Sequence, residues 1–556
     1  MPQEPRVSFD TDPSRYRHWT LTVDGNVATV TMAVDPEAGL RDDYELKTNS
    51  YDLGVDIELH DIVQRLRFEH PGVKAVVVTG GLDKIFCAGA NIQMLAGASH
   101  AHKVNFCKFT NETRNTIEES GTAAGQTWIA AVNGTAAGGG YELALACDEI
   151  HLVDDRSSAV SLPEIPLLAV LPGTGGLTRV VDKRHVRRDL ADAFATRTEG
   201  VRGRTAVEWG LVDGIAPASS FDDHIAARAD ARASESDRPD DAAGVALTPL
   251  APTALDDGMA WSTVRYEIDR ATSSATITIA GPDAPQAADG SGLTAAGAEA
   301  WLLRCAREFD DAMLRLRFDE PTIGTWVMRT TGSADALLAA EAPFTDDPDH
   351  WLVRELRLLW TRTLKRLDLS ARTIVALVDP GSTFVGLFAE ILLAADRSYM
   401  LEGTWEDDDD PPPPATIQLT AANLGRHPMS NGLSRLATRF WGRPDDLRAA
   451  EAATGDDLDA AAAAELGLVT FTPDDLDWDD EVRLMLEERA SFSPDALTGM
   501  EANFRFVGPE TMETKIFSRL TAWQNWIFQR PNAVGPDGAL QRFGTGSRPD
   551  YDKRRV

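Results

Sequence analysis

A chain of 556 residues with 87 acidic against 54 basic side chains carries a formal charge of −33. So acidic a protein is a poor match for nucleic-acid phosphates or an anionic membrane surface, both of which need clustered cations. Four cysteines, Cys87, Cys107, Cys147 and Cys305, make neither a disulfide framework nor paired metal-ligand spacings. No apolar run approaches about 18 residues and no secretory core follows Met1, so a soluble cytoplasmic protein of two or three domains is expected.

Residues 1–15 are polar and proline-containing and read as a surface segment. From Tyr16 to Met32 two strands flank Asp24-Gly25-Asn26, a hairpin signal. Asp56 to Phe68 places Ile57, Ile62, Leu66 and Phe68 at helical spacing, and Val73 to Val78 is an apolar strand. His102 to Glu118 reads as a helix carrying Phe106, Cys107, Thr110 and Ile117. Ile129-Ala130-Ala131-Val132 is apolar throughout, as a strand buried on both faces would be.

Asn133-Gly134 breaks that strand, and Gly138-Gly139-Gly140 leads into Tyr141 to Ala146, whose composition suits a helix. The glycines therefore stand at a helix N-terminus, where unpartnered amides and the macrodipole stabilise an oxyanion. Glu142 lies one turn inside, and Glu164 follows 22 residues later (164 − 142) in Leu162-Pro163-Glu164-Ile165.

Phe86-Cys87-Ala88-Gly89-Ala90-Asn91, Asn133 through Glu142, and Pro163-Glu164, in that order, resemble the three signature segments of the crotonase, or enoyl-CoA hydratase/isomerase, superfamily. Asn91 stands where that pattern usually has Asp. The resemblance implies that the amides of Ala90 and Gly139 form an oxyanion hole for a thioester carbonyl, with Ala88, Gly89, Asn91, Gly138 and Gly140 shaping the substrate site. It makes Glu142 and Glu164 the acid/base carboxylates and puts Cys107, on the helix roofing the pocket, forward as a proton donor or orienting group. Cys87 and Cys147 read as core. Pro172 to Arg179 resembles the family's glycine-rich turn, and Glu208 to Asp213 its closing segment.

The second half repeats the first. Leu66 to Pro71 recurs as Leu316 to Pro321, and Glu142 to Asp148 as Glu390 to Asp396, while Gly386-Leu387-Phe388 replaces the three glycines. The expected organisation is α/β, with two crotonase-like units of ββα repeats: a catalytic domain at 1–233, a linker at 234–257, a degenerate unit at 258–492 and a C-terminal helical arm at 493–556. In that arm, Glu510 to Arg530 reads as a helix with an aromatic face for packing or assembly, and Arg548 to Val556 as a solvated tail. The run from Glu406 to Pro414 reads as an acidic surface loop.

Length and layout resemble the ring-cleaving branch of the superfamily. That resemblance implies hydrolytic opening of the 2,3-epoxide of benzoyl-CoA with two waters, giving 3,4-didehydroadipyl-CoA semialdehyde and formate. It implies no cofactor beyond the CoA on the substrate, no metal, no nucleic-acid or membrane partner, and a homo-oligomer, a dimer being favoured. The alternatives are a plain enoyl-CoA hydratase and a non-catalytic acyl-CoA-binding scaffold.

Overall fold

The Asp24-Gly25-Asn26 turn closes as its residues predict. Gly25 takes φ 58°, and β1 (Trp19–Asp24) pairs antiparallel with β2 (Val27–Met32). The structure, a computed structural model, describes residues 6–405 and 411–556. The first five residues, and 406–410 of the acidic run, lie outside the described residues. The chain forms two compact units, Met1–Pro249 and Leu250–Val556.

In the first unit a two-residue strand, β3 (Ser50–Tyr51), precedes helix α1 (Leu53–Phe68). The helix starts earlier than the apolar spacing alone predicts because Asp52 caps it, accepting from the Gly54 amide at 2.9 Å and contributing about 0.5–2 kcal/mol. There follow β4 (Ala75–Gly80), β5 (Lys84–Cys87), β6 (Gly89–Ala90), α2 (Ile92–Gly97) and the long α3 (His100–Ala123). After these come β7 (Thr127–Val132), β8 (Gly134–Ala137), α4 (Gly139–Ala146), β9 (Glu149–Asp154), β10 (Val160–Ser161) and α5 (Glu164–Leu168). The unit closes through β11 (Gly214–Pro217) and α6 (Phe221–Glu235).

The main sheet runs β1-β2-β4-β7-β9-β11, parallel beyond the first hairpin. The inner strands β4 and β7 are apolar on both faces because helices cover both. On one face α6 sets Phe221, Ile225, Ala229 and Ala233, a stripe at four-residue spacing, against Ala75, Val77, Ile129 and Ala131. Each fully buried Val or Ile stabilises the layer by about 1.5–3 kcal/mol. A small sheet, β10-β8-β5, and the pair β3-β6 carry the chain segments that form the site.

The second unit is built on strands Thr253–Leu255, Gly258–Ala260, Val264–Asp269, Ser274–Ala280, Thr325–Thr331, Thr373–Val378 and Arg397–Met400, neighbours in that order. A hairpin feeds parallel strands here too: Val264–Asp269 pairs antiparallel with Ser274–Ala280, which pairs parallel with Thr325–Thr331.

Several segments are more ordered than their composition suggests. Residues 6–15 do not wander: Val7 is buried and the Phe9 ring packs 5.2 Å from Phe109. In the 234–257 run, Arg238 is buried and donates to the carbonyls of Pro71 (2.9 Å), Ala124 (3.1 Å) and Arg67 (3.3 Å). Val245 donates to the Phe68 carbonyl at 2.8 Å, so this stretch straps the first unit before the boundary at Pro249.

The C-terminal residues are not a solvated tail. Arg555 is 2% exposed, donates to the Gly324 carbonyl at 2.8 Å and pairs with Glu501, and Lys553 donates to the Ala490 carbonyl at 2.6 Å. The expected 510–530 helix is present as one continuous helical run over 512–527, which widens into a π-helical turn at Lys515–Leu520. Phe517 (72%) and Phe528 (57%) stand exposed on it.

Candidate active site

Two short pairings bring the Ala90 and Gly139 segments together. β3 runs parallel to β6, with Tyr51 opposite Ala90 and the Tyr51 carbonyl accepting from the Asn91 amide at 2.8 Å. β5 runs parallel to β8, which delivers the chain to Gly138. A Cβ on Gly89 would lie 2.8 Å from the Gly139 nitrogen, so the turn before Ala90 abuts the start of α4.

Gly138 has φ 53°, a conformation that costs an L side chain energy, and its amide donates to the Ser161 carbonyl at 2.9 Å. This sharp entry leaves Gly139 as the first helical residue, where amides have no intrahelical acceptor. Gly139 itself lies under the Tyr51 hydroxyl, and any side chain there would collide with it.

Glu142 is 2% exposed. Its Oε1 accepts from the amides of Thr174 (3.0 Å) and Gly176 (2.7 Å), and its Oε2 from the Thr174 hydroxyl. The glycine-rich 172–179 turn is therefore a clamp on this carboxylate. Arg179 braces the clamp, donating to the Thr174 carbonyl at 2.8 Å while pairing with Glu118 at 2.9 Å.

Glu164, the first residue of α5, reaches the same place from the other side: a Cβ on Gly138 would lie 2.6 Å from its Oε1. Its Oε2 is buried without a hydrogen-bond partner among the described residues. Burial, and then the neighbouring Glu142, push its carboxyl up to about 7. The site thus holds one carboxylate whose oxygens are committed to a loop and one with an oxygen to spare. Leu167, Val170 and Leu171, just beyond, are exposed and give that rim an apolar lip.

Cys107 is half-buried on α3, its Sγ 3.2 Å from where a Cβ on Gly173 would be. Burial, then Glu142 and Asp56, push the thiol up to about 11, so it is a protonated donor near neutral pH rather than a thiolate. The remaining sequence candidates separate. Ala88 is exposed at the strand end. The Asn91 side chain caps α2, accepting from the Met94 amide at 2.9 Å and donating to the Glu45 carbonyl at 2.8 Å. Gly140 packs on the Cys87 carbonyl with no room for a side chain. Asn91 and Gly140 therefore support the two loops from behind. Cys87 and Cys147 are buried, with thiols pushed up to about 12.

Residues that local pattern did not mark complete the site. Asp56 and Arg114 form a buried pair at 3.1 Å, with the Thr110 hydroxyl also donating to Asp56. The Arg114 guanidinium stands 5.5 Å from the Tyr51 ring. The signal was weak but present: Asp56 and Arg114 are charges on the apolar faces of their helices.

The matching place in the second unit is arranged differently. At an offset of 248 (387 − 139), the Leu387 amide donates to Glu341 Oε2 at 2.7 Å. Glu390, at the same offset from Glu142, pairs with Arg435 at 2.8 Å and accepts from Asn423 at 2.9 Å.

The sequence signature of the enoyl-CoA hydratase/isomerase family spans residues 44–241. The benzoyl-CoA-dihydrodiol lyase of Aromatoleum evansii is 54% identical over 550 residues, 99% of this chain and 98% of that one. The mitochondrial enoyl-CoA hydratase of Pongo abelii is 36% identical over 155 residues, 28% of this chain and 49% of that one. The fatty acid oxidation complex subunit alpha of Shewanella loihica is 30% identical over 198 residues, 35% of this chain and 26% of that one. With abutting backbone segments at Ala90 and Gly139, two acidic side chains beside them, and a relative matched end to end, the chain belongs to the crotonase family of enoyl-CoA hydratases and isomerases.

Proposed function

We propose that this enzyme cleaves the ring of 2,3-epoxybenzoyl-CoA, consuming two waters and releasing 3,4-didehydroadipyl-CoA semialdehyde and formate in aerobic benzoate degradation. The observation that carries the substrate is the 54% identity across 99% of the chain, both units included, to a benzoyl-CoA-dihydrodiol lyase. The relative named as a mitochondrial enoyl-CoA hydratase matches 28% of the chain.

Opening the ring and breaking a carbon–carbon bond beside a thioester drives negative charge onto the thioester oxygen. The amides of Ala90 and Gly139 receive it, and losing one such donor costs roughly 2.7–4 kcal/mol of barrier. Glu164, with its spare oxygen and a carboxyl that titrates near 7, exchanges protons with the attacking water. Glu142, fixed by Thr174 and Gly176, orients the second water and holds the charge balance. Cys107 serves as a proton donor or orienting group at the roof. The chemistry asks for no cofactor beyond the CoA that the substrate carries.

In this reading the second unit is a degenerate crotonase copy, its donor at Leu387 already satisfied by Glu341. The C-terminal helices, with Phe504, Met512 and Phe517 exposed, form an arm for packing against a second copy in a cytoplasmic homodimer. The test is to incubate the protein with 2,3-epoxybenzoyl-CoA and quantify formate. One formate per CoA ester consumed supports the reading. Hydration of crotonyl-CoA, with the epoxide left intact, would replace it with a plain hydratase.

A further inference from the structure

The Tyr51 hydroxyl is a polar atom beside the site that the mechanism above leaves unused. Tyr51 is 2% exposed, and its hydroxyl is buried with no hydrogen-bond partner among the described residues. A buried hydroxyl left unmade is expensive, and such groups persist where a ligand or a water completes them. The phenol is also placed by three independent constraints. Its main chain is paired with Ala90 across β3 and β6. Its ring is held 5.9 Å from Phe106 and 5.5 Å from the Arg114 guanidinium. Its oxygen occupies the space that a Cβ on Gly139 would take. One side chain therefore bridges the two segments whose amides form the proposed oxyanion hole, and ends in a donor that no described residue uses.

We propose that the Tyr51 hydroxyl is a third hydrogen-bond donor of the oxyanion pocket, acting on the acyl oxygen of the bound CoA thioester beside the amides of Ala90 and Gly139. The proposal rests on the reading of this site given above. Burial holds the phenol well above its ordinary value, so it stays neutral and keeps its proton at any working pH. The cation of Arg114 over the ring sharpens the donor, while Asp56 balances that cation. In this arrangement the collision that excludes a side chain at 139 is the close approach that lets the phenol and the Gly139 amide share one acceptor.

The variant Tyr51→Phe deletes only an unpartnered oxygen, so the free protein should keep or raise its melting temperature. The probe is benzoyl-CoA carrying ¹³C at the thioester carbonyl, read by difference infrared spectroscopy on wild type and variant. The bound wild-type carbonyl should be shifted to lower frequency than the free ester. Tyr51→Phe should lose part of that shift, bind benzoyl-CoA within about threefold of wild type, and turn over epoxybenzoyl-CoA slower by on the order of 10²-fold.

An unchanged carbonyl frequency with turnover within twofold overturns the proposal and leaves the reading of the site intact. A wild-type carbonyl that shows no shift on binding overturns both. Should Tyr51→Phe fail to fold, 3-fluorotyrosine at position 51, isosteric and a stronger donor, should deepen the shift; an identical frequency would overturn the proposal.

Discussion

Gly138–Gly139 and Gly386–Leu387 occupy the same step of the same topology, a short strand turned into a helix through a glycine at φ 53° in one unit and 50° in the other. The scaffolding around them is shared. Asp148 accepts from the Trp128 amide at 2.7 Å, and Asp396 accepts from the Ile374 amide at 2.8 Å, each tying the strand before to the turn after. The first unit has bare backbone at 139 and a carboxylate oxygen at Glu164 with no partner among the described residues, the place the proposed function gives to the ligand. The second closes the matching amide with Glu341 and locks Glu390 between Arg435 and Asn423. On the proposed function, an oxyanion hole would be a fold feature left unsatisfied, which one internal carboxylate, as at Glu341, closes.

Exchanging the carboxylates breaks the comparison most strongly. Glu142→Gln and Glu164→Gln should each lower formate release by about 10²–10⁴-fold with benzoyl-CoA binding retained, whereas Glu390→Gln should leave turnover unchanged; steady-state kinetics on the three variants decides. The two helix starts come next. Gly139→Ala drives a methyl into the Tyr51 hydroxyl and should reduce turnover by about 10²–10³-fold. Leu387→Ala, at a fully buried site, should spare turnover and cost about 2–5 kcal/mol in denaturant unfolding.

Smaller effects sharpen the contrast. Glu341→Ala strips the Leu387 amide of its acceptor and should destabilise the chain by about 1–3 kcal/mol without adding activity. The Glu164 carboxyl takes up its proton near pH 7 in the folded chain instead of at its ordinary 4.5, so the stability it contributes is complete below about 4.5 and is lost as pH rises through about 7. Glu164→Gln keeps the neutral form at every pH. After allowance for solvent screening, its advantage over wild type should be nil at the acid end and grow to roughly 1–2 kcal/mol above pH 7, readable as a pH-dependent difference in melting temperature.

What the sequence disclosed followed the range of the contacts. The hairpin at Gly25, the buried strand at 129–132 and the glycine run at 138–140 are set by neighbours in the chain, and periodicity and turn chemistry expose them. The clamp of Thr174 and Gly176 on Glu142 spans more than thirty residues, and Glu341 reaches Leu387 across 46 (387 − 341), so neither leaves a local pattern. Tyr51 was hidden for a similar reason: in a short strand a buried aromatic looks like core until its hydroxyl is placed. Composition misled at the ends. Arg238 and Arg555 sit in runs that read as loose, yet both are buried because carbonyls and, for Arg555, a carboxylate satisfy the guanidinium.

The most direct test is the stoichiometry of benzoyl-CoA binding by isothermal titration calorimetry on wild type, Gly139→Ala and Leu387→Ala. One equivalent per chain, weakened by Gly139→Ala and untouched by Leu387→Ala, is the result predicted for a single open site in the first unit. Two equivalents per chain, or one that is lost with Leu387→Ala and survives Gly139→Ala, would contradict it.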